Sequence, residues 1–349
     1  MEIRVYDSDF NLKKIVENYI SLLWHRCYND VGDFKITAPA TPDNVNHLTM
    51  GSVVWVSGKK EAGVIESRQI TESPTENQIV VEGRFLESYM DRRLIRPTVN
   101  FSGLTEVGMR QILSGAVAIP MVQLGTLQGF TDTIKFQATY KNLLSYEEKL
   151  AKSANMGFRF RPDFVNKAIY FEVYKGLDRS IEQSDRARVI FSEEYVNLES
   201  AEYSENSQLY KTVCYVGGEG EGSARTFVTV GDDTLTGLAR REVFYDATDI
   251  TSEDLTQSEY EDKLKQRGQS KLDDEDIMAQ SFSCKTVPNG NFKYSIHYDV
   301  GDIVTINKSK WGISQSERIT EITEVYEHGE PTIEPVFGTT LPTAIDWEE

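Results

Sequence analysis

Trp24-His-Arg-Cys-Tyr28-Asn-Asp-Val-Gly32-Asp-Phe34-Lys-Ile-Thr-Ala-Pro39 sets large aromatic residues on both sides of an Asn-Asp-Val-Gly turn signal. Trp24, Tyr28 and Phe34 supply large rigid area for a small barrel's core. Gly32 falls where a strand must begin or approach another backbone, as do Gly63, Gly83 and Gly301 further along. Outward from this stretch, short β-rich runs occur at Arg4–Asp7, Phe34–Ala38, Val53–Val56, Gly63–Gln69 and Gln78–Gly83. Turn clusters separate them: Pro-Ala-Thr-Pro-Asp-Asn (39–44), Ser-Gly-Lys-Lys-Glu-Ala-Gly (57–63) and Glu-Ser-Pro-Thr-Glu-Asn (72–77). Alternation shows in Ile65–Thr71 and Ile79–Phe85, and many short strands with turns between them predict a small barrel or sandwich. Leu12–Ile20 stays open between strand and helix, because its apolar residues make little of a helical face.

Composition changes near Pro97. Leu104–Ala116 and Tyr140–Ala154 carry apolar residues close to helical spacing, and Gly157 suits the left-handed position that ends the second helix. Alternating strands follow at Phe158–Arg161 and Lys167–Tyr174. Further strands are expected at Arg188–Phe191, Val196–Tyr203, Tyr210–Val216, Ala224–Val230, Ala279–Thr286, Asp302–Asn307 and Arg318–Glu327. Ser258-x-x-Glu261 reads as a capping box opening an acidic helix over Ser258–Lys271. The expected fold is therefore α+β and β-rich. A first β-barrel-like unit spans 1–96, and an α+β unit spans 97–188. A second β-barrel-like unit spans 189–335, with a helical insertion at about 251–279, and a tail covers 336–349. The last unit loosely echoes the first, each ending in alternating strands after a glycine-containing turn.

The chain has 349 residues, enough for about two or three domains and for a large buried core. Aromatics at 11% exceed what a disordered chain carries. The formal charge of −18 argues against a general nucleic-acid binder and against an anionic membrane surface. Gln111–Thr131 is uncharged, but Pro120 and several glycines and glutamines break it, so it reads as a helix end and a loop, with no membrane span. No signal peptide is read at the N-terminus.

Chemistry-bearing patterns are sparse. Cys27, Cys214 and Cys284 are odd in number and far apart, which suits neither a disulfide framework nor a zinc pattern. His25, His47, His297 and His328 share no short motif with another histidine or cysteine, and His25 reads as a packing or surface residue. Gly217-Gly-Glu-Gly-Glu-Gly222 lacks a following lysine and helix, so it reads as a hairpin tip rather than a phosphate cradle. Glu193-Glu194 and Asp232-Asp233 are adjacent acids with no reason to face one glycosidic bond. Asp273-Asp-Glu-Asp276 has charge but not the glycine turn of a calcium loop. No catalytic, cofactor-binding or metal-ligating residue is assigned, no cofactor is expected, and the chain is not expected to be an enzyme.

Two ordered series of residues point further. The first continues from Trp24–Pro39 through Leu48-x-x-Gly51-x-Val53-Val54-Trp55, Glu61-Ala-Gly63-Val-Ile65-Glu66, Ile79-Val-Val-Glu-Gly83-Arg-Phe-Leu86 and Asp91-Arg-Arg93. The second is Tyr298-Asp-Val-Gly301-Asp-Ile-Val-Thr-Ile306, then Glu317-Arg-Ile-Thr-Glu-Ile322 and Ile333-Glu-Pro-Val-Phe-Gly338. Together they resemble the tail-hub proteins of long-tailed phages and prophages. That family is related in fold to the baseplate hub of contractile phages and to the N-terminal part of tail-associated lysins.

The resemblance implies two barrel-like units per chain and a homotrimer forming a six-fold-like ring at the virion tail tip, assembled in the bacterial host cytoplasm. A distal tail or tube protein would meet it above and a tip or fibre protein below. DNA would pass through an acidic lumen without stable binding. Two rival roles are a tail-associated cell-wall hydrolase and a carbohydrate-binding tail module. The sequence runs about a dozen residues past Phe337-Gly338, so no lytic domain is expected behind the hub region. Sugar binding needs exposed aromatic platforms, whereas most aromatics here alternate within strands, which predicts burial.

Overall fold

A computed structural model of the chain describes residues 1–274, 278–287, 290–327 and 331–338. The N-terminal part forms β1 (Ile3–Tyr6), β2 (Leu12–Val16), β3 (Ser21–Cys27), β4 (Asp33–Pro39) and the short helix α1 (Pro42–His47). It continues through β5 (Val53–Val56), β6 (Ala62–Val64), β7 (Ser67–Glu72) and β8 (Asn77–Arg84). The open segment after Leu12 is a strand. β2 is an edge that pairs with β1 and buries only Val16 fully, which is why its apolar signal is faint.

The middle part holds β9 (Val99–Leu104), α2 (Thr105–Gly115), β10 (Val122–Leu124), β11 (Thr133–Ala138), α3 (Leu143–Ser153), β12 (Gly157–Asp163) and β13 (Ala168–Tyr174). The uncharged run 111–131 is the end of α2, coil and β10; among the described residues no helix is long and apolar enough to cross a membrane. Asn142 opens α3 by accepting the Ser145 amide at 3.1 Å. The left-handed residue after α3 is Asn155, at φ +49°, and not Gly157 as the sequence suggested. Gly157 serves packing instead: a Cβ there would lie 2.6 Å from the Tyr174 ring and 2.7 Å from the Tyr28 ring. One apolar core joins this part to the first, running from Tyr6, Val53 and Leu86 through Met109, Ile112 and Leu150 to Phe171.

The remaining elements are β14 (Ile190–Ser192), β15 (Leu198–Asn206), β16 (Val213–Gly217), β17 (Phe227–Gly231), β18 (Glu242–Asp246), α4 (Gln257–Asp274), β19 (Ala279–Thr286), β20 (Ile303–Lys308), β21 (Ile313–Tyr326) and β22 (Thr332–Gly338). The two ends of the chain meet in one ten-stranded sheet, ordered β7-β8-β4-β3-β21-β22-β19-β15, with β20 on β21 and β14 on β20. The seam is the antiparallel pair β3–β21. A four-stranded sheet, β2-β1-β5-β6, shares a core with the β3-β4-β8 half through Ile3, Val5, Val54, Trp24, Ile36 and Val81. Close approach there requires Gly83, where a Cβ would stand 1.8 Å from the Val64 carbonyl oxygen.

The insertion is larger than the helix expected at 251–279. β16 and β17, read from sequence as strands of the second barrel, pair instead with each other and with β18. They share a core with α4 made of Cys214, Val216, Val228, Tyr260 and Leu264. Alternation marks such strands as half-buried but does not say which sheet they join. The capping box also moves. Thr256 and Glu259 close it reciprocally, with the Thr256 amide donating to Glu259 at 2.9 Å and the Glu259 amide donating to Thr256 Oγ1 at 3.3 Å. Glu261 accepts from the Gln257 side chain instead.

Candidate functional site

The β3–β21 seam puts opposite chemistry on its two faces, because successive side chains of a strand alternate. On the inner face Arg26 is 4% exposed and bridges the two ends of the chain. Its Nη2 donates to Glu61 at 2.8 Å, and its Nη1 donates to Tyr294 and Asp299. Burial disfavours the Arg26 charge, but Glu61, Tyr294 and Asp299 hold it on. Burial likewise pushes the Asp299 carboxyl up, yet Arg26 and Lys60 outweigh it and leave it below its ordinary range. Beside this cluster, the buried Glu324 accepts from Lys59, Tyr294 and Tyr326. The inner seam is thus a buried ionic joint that ties together residues as far as 273 positions apart in the chain.

On the outer face, register places Cys27 opposite Glu321 and His25 opposite both Thr323 and Asp33. His25 Nδ1 lies 2.8 Å from Asp33 Oδ2. Its Nε2 lies 3.1 Å from Glu321 Oε2 and 3.7 Å from Cys27 Sγ. Burial opposes a charge on the His25 ring, but the bonds to Asp33, Cys27 and Glu321 outweigh it and lift its pKa to about 12. Away from the seam, a cavity of about 120 Å³ between β11, α3 and α4 is lined by Lys135, Lys141, Lys149, Lys263, Arg267 and Lys271. Asp249 pairs with Lys141 at 3.0 Å and Arg267 at 3.5 Å, and Lys263 donates to Asn100 at 3.1 Å. These arrangements can hold segments together and bind.

The Siphovirus ReqiPepy6 Gp37-like protein family matches residues 2–339. The chain belongs to that family. Solved tail proteins share its fold at low identity. The 43 kDa tail protein of prophage MuSo2 from Shewanella oneidensis is 12% identical at a TM-score of 0.59, covering 97% of this chain and 98% of that one. A tail protein from Neisseria meningitidis MC58 is 13% identical at 0.60, covering 97% and 96%. Prophage tail protein gp18 from Listeria monocytogenes EGD-e is 13% identical at 0.56, covering 98% and 96%. No curated protein matches the chain in sequence.

The acidic pairs singled out by sequence are engaged in local structure. Glu193 is paired with Lys308 and with Lys310 at 3.6 Å, and Asp233 with Arg240 at 2.7 Å. Asp232 caps a turn through the Thr234 amide at 3.0 Å. Gly217 ends β16 and Gly218–Gly222 continues toward β17 as a hairpin tip, with Arg225 donating to the Gly217 and Gly218 carbonyls. In the acidic run that begins at Asp273, that residue accepts from the Gln269 side chain at 2.8 Å, near the end of α4. The rest of the run from 275 onward lies outside the described residues, as do His328 and 339–349 of the tail. His47 and His297 bond locally to Asp43 and Lys293. Cys214 and Cys284 are buried. The His25–Cys27–Glu321 group is what sequence reasoning missed. Its one local signal was the two-residue spacing of His25 and Cys27, which puts both on the same face of a strand.

Proposed function

We propose that this protein is a structural phage tail protein and serves as a tail hub, acting by assembly and not by catalysis: three copies form a ring that joins the tail tube to the tail tip. The observation that carries this reading is one sheet whose main run of strands has no further strand paired outside either end among the described residues. β7 and β15 end the main run of the ten-stranded sheet, with β14 ending the branch through β20, and neither β7 nor β15 buries a residue fully. An open edge is a template for pairing with another chain. β15 of one copy meeting β7 of the next is a head-to-tail contact, and a three-fold rotation closes it. The two sheet halves on either side of the seam would then be the near-equivalent wedges of the ring, with the first unit at 1–96 and the second at 189–335.

Docking to a tube protein above and a tip or fibre protein below draws on exposed apolar surface. Phe227 and Phe244 stand on either side of Arg225 on the insertion's sheet, and both rings are about half exposed. Three copies carry a formal charge of −54, three times −18, which suits a bore through which DNA passes without sticking. The protein would work at the virion tail tip after assembly in the host cytoplasm.

Light scattering with mass analysis, followed by microscopy of tail particles, tests the reading. The expected result is a three-fold ring with a central bore at the tube end, built by β7–β15 contacts. A chain found singly, or at a site off the tail axis, would overturn it. A clearing zone on a peptidoglycan zymogram would overturn the non-enzymatic part.

A further inference from the structure

We propose that His25, Cys27 and Glu321 form a binding site for a zinc-class divalent transition metal, a clasp across the outer face of the β3–β21 seam. Cys27 and Glu321 are directly opposed across an antiparallel pair, and His25 is two residues along the same strand on the same face. One ligand atom from each of the three lies within 4.8 Å of the others. Zinc–sulfur and zinc–nitrogen bonds of about 2.3 and 2.0 Å at tetrahedral angles need an N···S edge of about 3.6 Å, and an N···O edge of about 3.4 Å. The observed separations are 3.7 Å from Nε2 to Sγ and 3.1 Å from Nε2 to Glu321 Oε2.

The surroundings fit the same chemistry. A metal-bound imidazole usually gives its other N–H to a carboxylate, which fixes ring orientation. Asp33 Oδ2 stands 2.8 Å from His25 Nδ1 on the neighbouring strand β4. A thiolate with an imidazole selects zinc-like ions over magnesium or calcium. The group is partly exposed, so an ion has access and water can take the fourth position. Binding releases the Cys27 thiol proton and any proton on His25 Nε2 to solvent, while Nδ1 keeps its hydrogen toward Asp33. The strands tied together come from the two ends of the chain, so the ion would hold the halves in register. This stands apart from the ring reading and can fail or hold without it.

The full-length protein, stripped with a chelator and titrated with Co²⁺ alone, tests it. The expected result is one equivalent bound, with tetrahedral d–d absorption and a thiolate-to-cobalt charge-transfer band, both bleached by Zn²⁺. Cys214 and Cys284 are buried, so the band reports Cys27. Cys27→Ser should abolish the band. Asp33→Asn should keep it but weaken Zn²⁺ binding about 10–100-fold. Should Cys27→Ser not fold, Glu321→Gln serves in its place, with the band kept and the affinity lowered at least about tenfold. No band in the wild type, a band that survives Cys27→Ser, or unchanged affinity in Glu321→Gln would overturn the site.

Discussion

The two halves of the ten-stranded sheet solve one packing problem in different ways. The β3-β4-β8 half faces a second sheet, and the space between is filled largely by β-branched side chains such as Ile3, Val5, Ile36, Val54, Ile79 and Val81. The β21-β22-β19 half has no separate sheet over it among the described residues. It shares its core with β14, β20 and the segment around Tyr298, and rings span the gap. Phe191 touches Tyr298 and Phe337 at centroid distances of 5.2 and 5.4 Å, and Phe282 lies 6.0 Å from Phe337. Two pleated surfaces present many small groups at close range. A single curling surface needs fewer, longer side chains to reach its own far side. At the seam, where the two solutions meet, an arginine does the joining.

The largest expected effect breaks that joint. Arg26→Met removes the cation and leaves the buried Glu61 without its ion-pair partner, while the half-buried Asp299 keeps Lys60 at 3.2 Å, so unfolding stability should fall by about 3–5 kcal/mol. Urea denaturation measures it. A loss near zero would mean that the halves are held by their backbone pairing alone. Lys35→Ala, which removes an exposed pair with Glu82 at 2.7 Å, is the control and should cost less than about 1 kcal/mol.

Equal truncations sharpen the contrast between the cores. Phe337→Ala and Phe34→Ala should each cost about 3–5 kcal/mol. Phe337 packs on two rings, whereas Phe34 meets only Trp24 among the described ring pairs, at 5.9 Å. An aromatic pair adds about 0.5–1.5 kcal/mol beyond area, so Phe337→Ala should be the costlier by that amount. A larger loss at Phe34 would say that the β-branched core collapses less well than the aromatic one.

Below the first half, Glu87 gives a pH test. Burial pushes its carboxyl up to about 8, although it accepts the Phe160 amide at 2.7 Å, and its second oxygen has no hydrogen-bond partner among the described residues. The folded chain therefore holds a proton that the unfolded chain releases from about pH 4.5 upward. Stability falls as pH rises from there to about 8, by at most about 1.4 kcal/mol per pH unit from this group. Glu87→Gln removes that slope, so the variant should gain on the wild type steadily between about pH 5 and 8 in urea titrations. Parallel curves would place the proton elsewhere.

Legibility follows the range of the interaction. Trp24, Tyr28 and Phe34 were readable as core, and the helices near 104–116 and 140–154 were readable from spacing, because period and residue type are local. The seam was not, since β3 and β21 lie about 300 positions apart and nothing in either strand names its partner. The same holds for Arg26 with Asp299 and His25 with Glu321, in which each side chain looks ordinary until register brings them together. β16 and β17 were recognised as strands but placed in the wrong sheet for that reason. Local geometry also misled where two residues competed for one role, as Asn155 and Gly157 did after α3.

The smallest expected effect settles one such competition. Two Ser/Thr-x-x-Glu patterns overlap at the start of α4, Thr256-x-x-Glu259 and Ser258-x-x-Glu261. Only the first closes reciprocally, with Thr256 and Glu259 each accepting from the other's amide. The Glu259 carboxyl is accordingly held below its ordinary range by the Thr256 amide and hydroxyl. Thr256→Ala should cost about 1 kcal/mol, while Ser258→Ala, inside the first turn, should cost little. The loss should appear as faster amide exchange along α4, with the ten-stranded sheet unaffected, because α4 packs on its own three-stranded sheet and shares no core with the seam. Equal protection in both variants would move the helix start; faster exchange spreading into β3 and β21 would mean that the insertion and the sheet halves unfold as one unit.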